Sequence, residues 1–464
     1  MICRTGTAEL QPSRLQRLGL WMRDHRPLIQ RIQWAVILFY AVLVVLPAFL
    51  PLPDYEAHLW NNLTLFAQFL FWGIWWPFVL ISMVLFGRLW CGVFCPEGAL
   101  SEWASRHGKG RPIPRWLRWP GWPLLAFITT TVYGQMISVY QYPQAALLIL
   151  GGSTLVAILV GYLFGRNQRV WCRYLCPVSG VFALLAKLSP LHFHANRQQW
   201  QAYRQQQQPL TSVQCPTFLP LRELDSASPC HMCGRCTQHR EAIQLEARLP
   251  GSEIVTTSKQ SANQWEFLLI VVGLLGVAVG AFHWSASPWF VQLKQMLAGL
   301  LISHDWLWPL EAHAPWWLMT FYPDQNDVFS LLDGAALLLY IGLTTLMSGA
   351  VIGLCLWLAR FALSAPTQAL YHLSHGLIPL AGAGVFLGLS ALTASLLRAE
   401  QVPLFWVNDV RALLLAGATV WSLWLGWRIV GQYPSKGARY VAMLSYSAAV
   451  VWSVFVWWLL FFYW

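Results

Sequence analysis

Long apolar runs, separated by short charged connections, organise this chain. They fall near 33–52, 65–87, 121–140, 146–165, 265–284, 329–358, 374–397, 411–431 and 441–463. Each is close to the roughly 20 residues that a helix needs to cross a bilayer. The pattern predicts an all-α polytopic membrane protein of about nine transmembrane helices. Polar residues concentrate elsewhere, which divides the chain into an N-terminal basic segment 1–32, a four-helix membrane core 33–189, a hydrophilic segment 190–264 and a C-terminal membrane domain 265–464 of about five helices. The hydrophilic segment begins in a loop-like run through Gln205–Gln208. Residues 286–327 are rich in Trp and Pro and are expected to lie along an interface, anchored by Trp289, Trp306, Trp308, Trp316 and Trp317.

Composition agrees: 57% of residues are hydrophobic and 11% charged, which excludes an ordinary soluble domain. The net charge of +11 reads as membrane orientation, because the basic residues gather in short connections and no nucleic-acid motif accompanies them. Arg14, Arg17, Arg23, Arg26 and Arg31 precede the first run, so the N-terminus is expected in the cytoplasm, as a retained anchor lacking a small-residue cleavage site. Threading the spans from there puts Arg106, Lys109, Arg111, Arg115, Arg118, Arg166, Arg169, Arg173, Lys436 and Arg439 inside. Asp54, Glu56, Asp324 and Asp327 fall outside. The connection at 398–410 is balanced, with Arg398 and Arg411 beside Glu400 and Asp409.

The first four spans repeat a helical hairpin. Each hairpin ends in Leu-Phe-Gly-Arg followed by Trp-Cys-x-x-x-Cys-Pro: Leu85–Arg88 with Trp90–Pro96, then Leu163–Arg166 with Trp171–Pro177. Such repeats tend to place a site between their halves. Cys91 with Cys95, and Cys172 with Cys176, stand one helical turn apart and share a face, a geometry open to a soft metal or a redox pair. Cysteines that merely pack the corner are the plain alternative. Proline after the second cysteine ends one helix and can start another at Pro96 or Pro177. Arg88, Arg166 and Arg173 nearby favour thiolates or an anionic cofactor.

The hydrophilic segment carries Cys215-Pro216 and Cys230-His231-Met232-Cys233-Gly234-Arg235-Cys236. Two-cluster ferredoxins use C-x2-C-x2-C-x3-C-P, in which the fourth cysteine serves the other cluster. Here Arg240 occupies the fourth position of one motif, and the triplet before Cys215 is absent, with Gln205, Gln208 and Thr211 at those positions. The losses are complementary. What remains is one complete set, Cys215, Cys230, Cys233 and Cys236, predicting one [4Fe–4S] cluster in a small ferredoxin-like loop. A four-cysteine zinc site or free thiols are the alternatives. Cytoplasmic thiols do not default to disulfides, and Cys3 and Cys355 stand alone.

Histidines add weaker signals. His372 and His375 share a helical face and His283 ends another span, so haem ligation or quinol proton transfer are readings beside that of satisfied polar residues. One helix cannot supply both axial ligands of one haem. Asp333 fits a helix cap better than a proton relay, and His192 with His194 make a faint metal signal.

Cys91–Leu100, Cys172–Pro177 and the cysteine loop resemble the NosR/NapH-type membrane iron–sulfur proteins over roughly residues 65–245. The resemblance implies a protein of the bacterial cytoplasmic (inner) membrane that moves electrons from quinol toward a partner redox subunit, as a quinol dehydrogenase component or electron-transfer subunit. A related branch similar to CcoG implies copper handling in oxidase assembly as the alternative, with the Cys-x-x-x-Cys-Pro thiols as the copper ligands. The chain departs from the family in having a one-cluster loop, no recognisable flavin-attachment segment and additional C-terminal spans.

Overall fold

In the computed structural model, which describes residues 13–54, 56–205, 213–433 and 437–464, helices dominate. Cys3, Gln206–Gln208, Thr211 and Lys436 lie outside the described residues. Eight helices among the described residues are long and apolar enough to cross a bilayer: Arg26–Phe49, Leu63–Phe86, Pro143–Phe164, Gln264–His283, Leu331–Ala362, Ile378–Ala399, Val407–Val430 and Ala438–Tyr463.

The expected span at 121–140 is instead a helix of 15 residues, Trp122–Met136. It rises only about 22 Å. Even so, it runs alongside the whole of the 264–283 span. Trp119, just before its start, packs edge-on against Trp265 at 5.1 Å between ring centroids. At its other end, Gln135 accepts a hydrogen bond from the indole of Trp284 (2.8 Å). The short helix thus packs beside that span, but at 15 residues it falls short of the length expected for a ninth crossing. Pro143, one turn past its end, opens the next helix at its first position, where no amide hydrogen is needed.

The two ends of the helical body differ in charge. One end gathers both Cys-x-x-x-Cys-Pro corners, the arginines that follow them, the 190–264 segment and the turns near 365 and 432. Gln368 and Gln432 tie those turns back to the carbonyls of Ala262 and Val255. The opposite end carries more acids than bases. Glu400 accepts from His58 (2.9 Å) and from the Leu59 amide (2.7 Å), which settles the balanced 398–410 connection at this end. Asp327 accepts from Tyr142 (2.7 Å), and the Thr320 amide donates to the Met136 carbonyl (2.8 Å). Asp333 forms a reciprocal cap with Ser330, as expected. The five tryptophans expected to anchor 286–327 are all exposed.

The 190–264 segment is not all loop. Strand β1 (Leu191–Ala195) pairs antiparallel with β2 (Ile243–Ala247), with Phe193 opposite Leu245. Alternation buries Phe193 and Ala195 against Ile243, Leu245, Leu224 and Cys230, making a small core of its own. His192 and His194 lie on β1 rather than in a loop. His194 pairs with Asp225 (3.1 Å), and no metal-ligating group forms around either residue among the described residues.

Two cysteine sets around a buried ionic brace

The first corner unwinds as its proline dictates. After the wide turn Trp90–Phe94, Cys95 is extended (φ −66°, ψ 118°) and caps the helix Pro96–Arg106, its sulfur accepting from the Gly98 amide at 3.4 Å. The second corner departs from the expected symmetry. Val170–Tyr174 is helical, but Pro177 sits in a turn and the next helix starts at Ser179. Ser179 takes over the bracing there, donating to the Cys172 carbonyl (2.8 Å) and accepting from Arg88 (2.9 Å).

The corners are cross-braced. Arg88 of the first motif reaches Ser179 of the second and the Ser228 carbonyl (3.1 Å) just before the cysteine loop. Arg169, preceding the second motif, reaches back to the carbonyls of Cys91 and Gly92. Its own amide donates to the Pro216 carbonyl at 2.7 Å, fixing the chain beside Cys215. Arg166, the sequence counterpart of Arg88, instead binds the Gly110 carbonyl, so the repeat is not carried through to function.

Glu102 is the counter-charge. This buried carboxylate pairs with Arg169 (2.9 Å), with Arg106 (3.2 Å) and with Arg235, which lies between Cys233 and Cys236. Burial pushes the Glu102 carboxyl up, but the arginines outweigh it and hold it at about 2. One acid thus ties the first hairpin, the second corner and the cysteine loop together. Contact is close: a Cβ on Gly92 would overlap the His231 carbonyl oxygen, so the loop backbone rests directly on the first corner.

Cys215, Cys230, Cys233 and Cys236 line one narrow pocket, walled by Phe193, Leu219, Leu221 and Leu224. Gly234 supplies the left-handed turn (φ +71°) between the last two cysteines. The Met232 amide donates to the Cys230 sulfur (3.4 Å). Arg240, at the missing fourth ferredoxin position, lies over the Trp200 ring at 4.6 Å and away from the pocket. Burial raises the Cys230 thiol to about 12 and Cys236 well above the usual range. No three Cys, His, Asp or Glu side chains among the described residues converge on a single-ion position. Four thiols at ferredoxin spacing are a donor set that a cubane cluster takes, one thiolate at each corner. The donor set fits the cluster.

Cys91, Cys95, Cys172 and Cys176 line a second, larger cavity of about 260 Å³ inside the helical body. Its walls are mostly aromatic and aliphatic, including Phe71, Trp72, Trp75 and Trp76, and two segments wound as π turns (Phe69–Trp75 and Leu147–Gly151) contribute to it. Glu97 faces the same space, accepting from Ser153 (2.6 Å) and from the indole of Trp171 (2.9 Å). Burial raises this carboxyl above its ordinary range, and the two hydrogen bonds offset part of the rise. His231 lines this cavity too, and also touches the outer vestibule of about 500 Å³ bounded by Arg173, Thr217 and Glu266. It stands between the two cysteine sets.

The remaining histidines are occupied otherwise. His372 meets the Ile254 carbonyl (2.8 Å) and the Tyr433 hydroxyl (3.1 Å), leaving neither nitrogen for a haem iron. His375 faces Glu266 at 3.2 Å, and Glu266 also meets Lys187 at 3.2 Å. His283 packs between Trp457 and Trp464. Glu97, Glu102 and Arg169 are the site residues that spacing did not single out. Their signal was charge at the membrane end of a chain with few charges, without a motif to distinguish them.

A family model described as a 4Fe-4S binding domain matches residues 68–114 and 147–196, the two hairpins with their cysteine corners. The chain is 26% identical over 257 residues to YccM of Escherichia coli (strain K12), to which an electron-transport role is provisionally assigned; the match spans 48% of this chain and 68% of that protein. It is 28% identical over 133 residues to the regulatory protein NosR of Pseudomonas aeruginosa, covering 24% of this chain and 18% of that one. No solved structure matches it. With its apolar helices, paired corners and four-cysteine loop, the chain is similar to the NosR/NapH-type multi-pass membrane iron–sulfur proteins.

Proposed function

We propose that this protein is a membrane electron-transfer subunit, passing electrons from a quinol through a [4Fe–4S] cluster on Cys215, Cys230, Cys233 and Cys236 to a partner redox or assembly protein. The observation that carries this reading is the shared wall. His231 lines the apolar cavity in the helical body and also belongs to the loop that carries the cluster cysteines. A quinol head group in that cavity would have Glu97 as proton acceptor and one loop residue between it and the cluster. The apolar walls suit an isoprenoid carrier and exclude the water that would compete for Glu97.

The electron donor's side follows from charge. The basic end of the body, with the N-terminal helix and the cysteine loop, faces the cytoplasm of the bacterial inner membrane under the positive-inside rule, and the acidic end faces out. Because the hydrocarbon core is about 30 Å thick, delivery to the far side calls for a further cofactor or a partner subunit. Support also comes from the electron-transport role assigned to YccM.

The test uses anaerobically purified protein in lipid nanodiscs. A short-chain quinol should bleach the broad visible absorbance of the cluster, and a triple Cys230/Cys233/Cys236→Ser variant should lose the loop cluster's share of that response. Bleaching by dithionite but never by any quinol would overturn the donor assignment.

A further inference from the structure

We propose that Cys91, Cys95, Cys172 and Cys176 ligate a second [4Fe–4S] cluster, held between the two hairpins and separate from the loop cluster. Four thiols from two halves of a repeat open onto one cavity. The approach is close around Gly98: its amide meets the Cys95 sulfur at 3.4 Å, and a Cβ there would lie 3.4 Å from the Cys172 sulfur. Sulfurs from both corners thus come within contact distance of one residue.

Charge supplies an independent argument. Arg88 is 4% exposed, yet its partners are the neutral oxygens of Ser179 and Ser228, and its Nε has none. No carboxylate lies within ion-pair reach of it among the described residues. A buried guanidinium without a counter-ion is costly, and a cluster with four thiolates is an anion of the required sign. His231 lies on the same wall, 3% exposed, with its Nδ1 unpartnered. The 4Fe-4S family match also falls on the hairpins, and the loop cysteines lie outside it.

Two clusters would also balance the donor. A quinol gives up two electrons and two protons to become a quinone, and each cluster takes one electron. That pairing rests on the quinol reading; the cluster site itself does not.

The experiment is iron and acid-labile sulfide per chain, with electron paramagnetic resonance of the dithionite-reduced protein, on the anaerobically purified full chain. The expected wild-type value is about eight irons, with spectra broadened by coupling between two centres. The loop triple Ser variant should keep half the iron, as should a Cys91/Cys95/Cys172/Cys176→Ser variant, each with an uncoupled signal. Because the wild-type count needs no variant, misfolding of either mutant does not blunt the test. About four irons in the wild type, lost in the loop variant, would overturn the second site. About four irons lost only in the corner variant would place the cluster here and sink the loop assignment instead. Stoichiometric copper in place of iron at the corner thiols would overturn the cluster in favour of copper handling.

Discussion

Replacing Glu102 by Gln should release the cysteine loop from the membrane body. The substitution keeps shape and removes one charge, leaving the wholly buried Arg169 and the largely buried Arg235 without their carboxylate. Breaking a buried ion pair from one side costs about 3–5 kcal/mol. The titration of Glu102 gives a similar size, since a fall from the ordinary 4.5 to about 2 corresponds to roughly 3 kcal/mol in favour of the charged form. A loss of that size raises the undocking equilibrium of the loop by roughly 10²-fold. The sign in pH follows from the depressed value: the stabilisation is complete above 4.5, and it is lost as pH falls toward 2. Hydrogen exchange measured by mass spectrometry in nanodiscs should therefore show faster exchange across 228–240 in the variant, with little change in the 331–362 span. The gap from wild type should be constant from pH 7 to 5 and narrow below 4.5. Loop exchange within twofold of wild type at pH 7 would refute the brace.

Gly92→Ala should give the same undocking through sterics alone, because its methyl group overlaps the His231 carbonyl; loss of iron from a chain whose helices remain folded by circular dichroism is the expected result. Glu97→Gln should slow quinol-driven cluster reduction by roughly 10²-fold or more while leaving dithionite reduction unchanged, the signature of a lost proton acceptor, and stopped-flow absorbance reads both. Arg88→Met should make the cluster harder to reduce, since a nearby buried cation favours the reduced form. For charges several ångströms apart at an effective dielectric near 20, the effect is on the order of 2 kcal/mol, or about 90 mV for one electron, and a redox titration that shows a rise or no change would contradict the placement of Arg88.

The chain's periodicity and composition alone established a helical membrane protein, the positions of eight of its long apolar helices, and the two sets of four cysteines that call for a chemical explanation. These follow from local quantities: run length, charge in short connections, and spacing between thiols. The Asp333 cap was equally local, since a reciprocal cap needs only residues three apart. Other features depended on residues far apart in sequence. The helix expected over 121–140 stops after 15 residues and docks its tryptophan turn beside the 264–283 span. The strands at 191–195 and 243–247 are each too short to stand out until they pair across some 50 residues. The reciprocal arginines broke the sequence repeat, with Arg169 rather than Arg166 serving the first corner. Glu102 looked like one more helix surface charge. Only the fold adds Arg169 and Arg235, from two distant segments, to its i+4 neighbour Arg106 and removes it from water, and a charge becomes a structural clamp by such tertiary neighbours, which spacing along the chain does not encode.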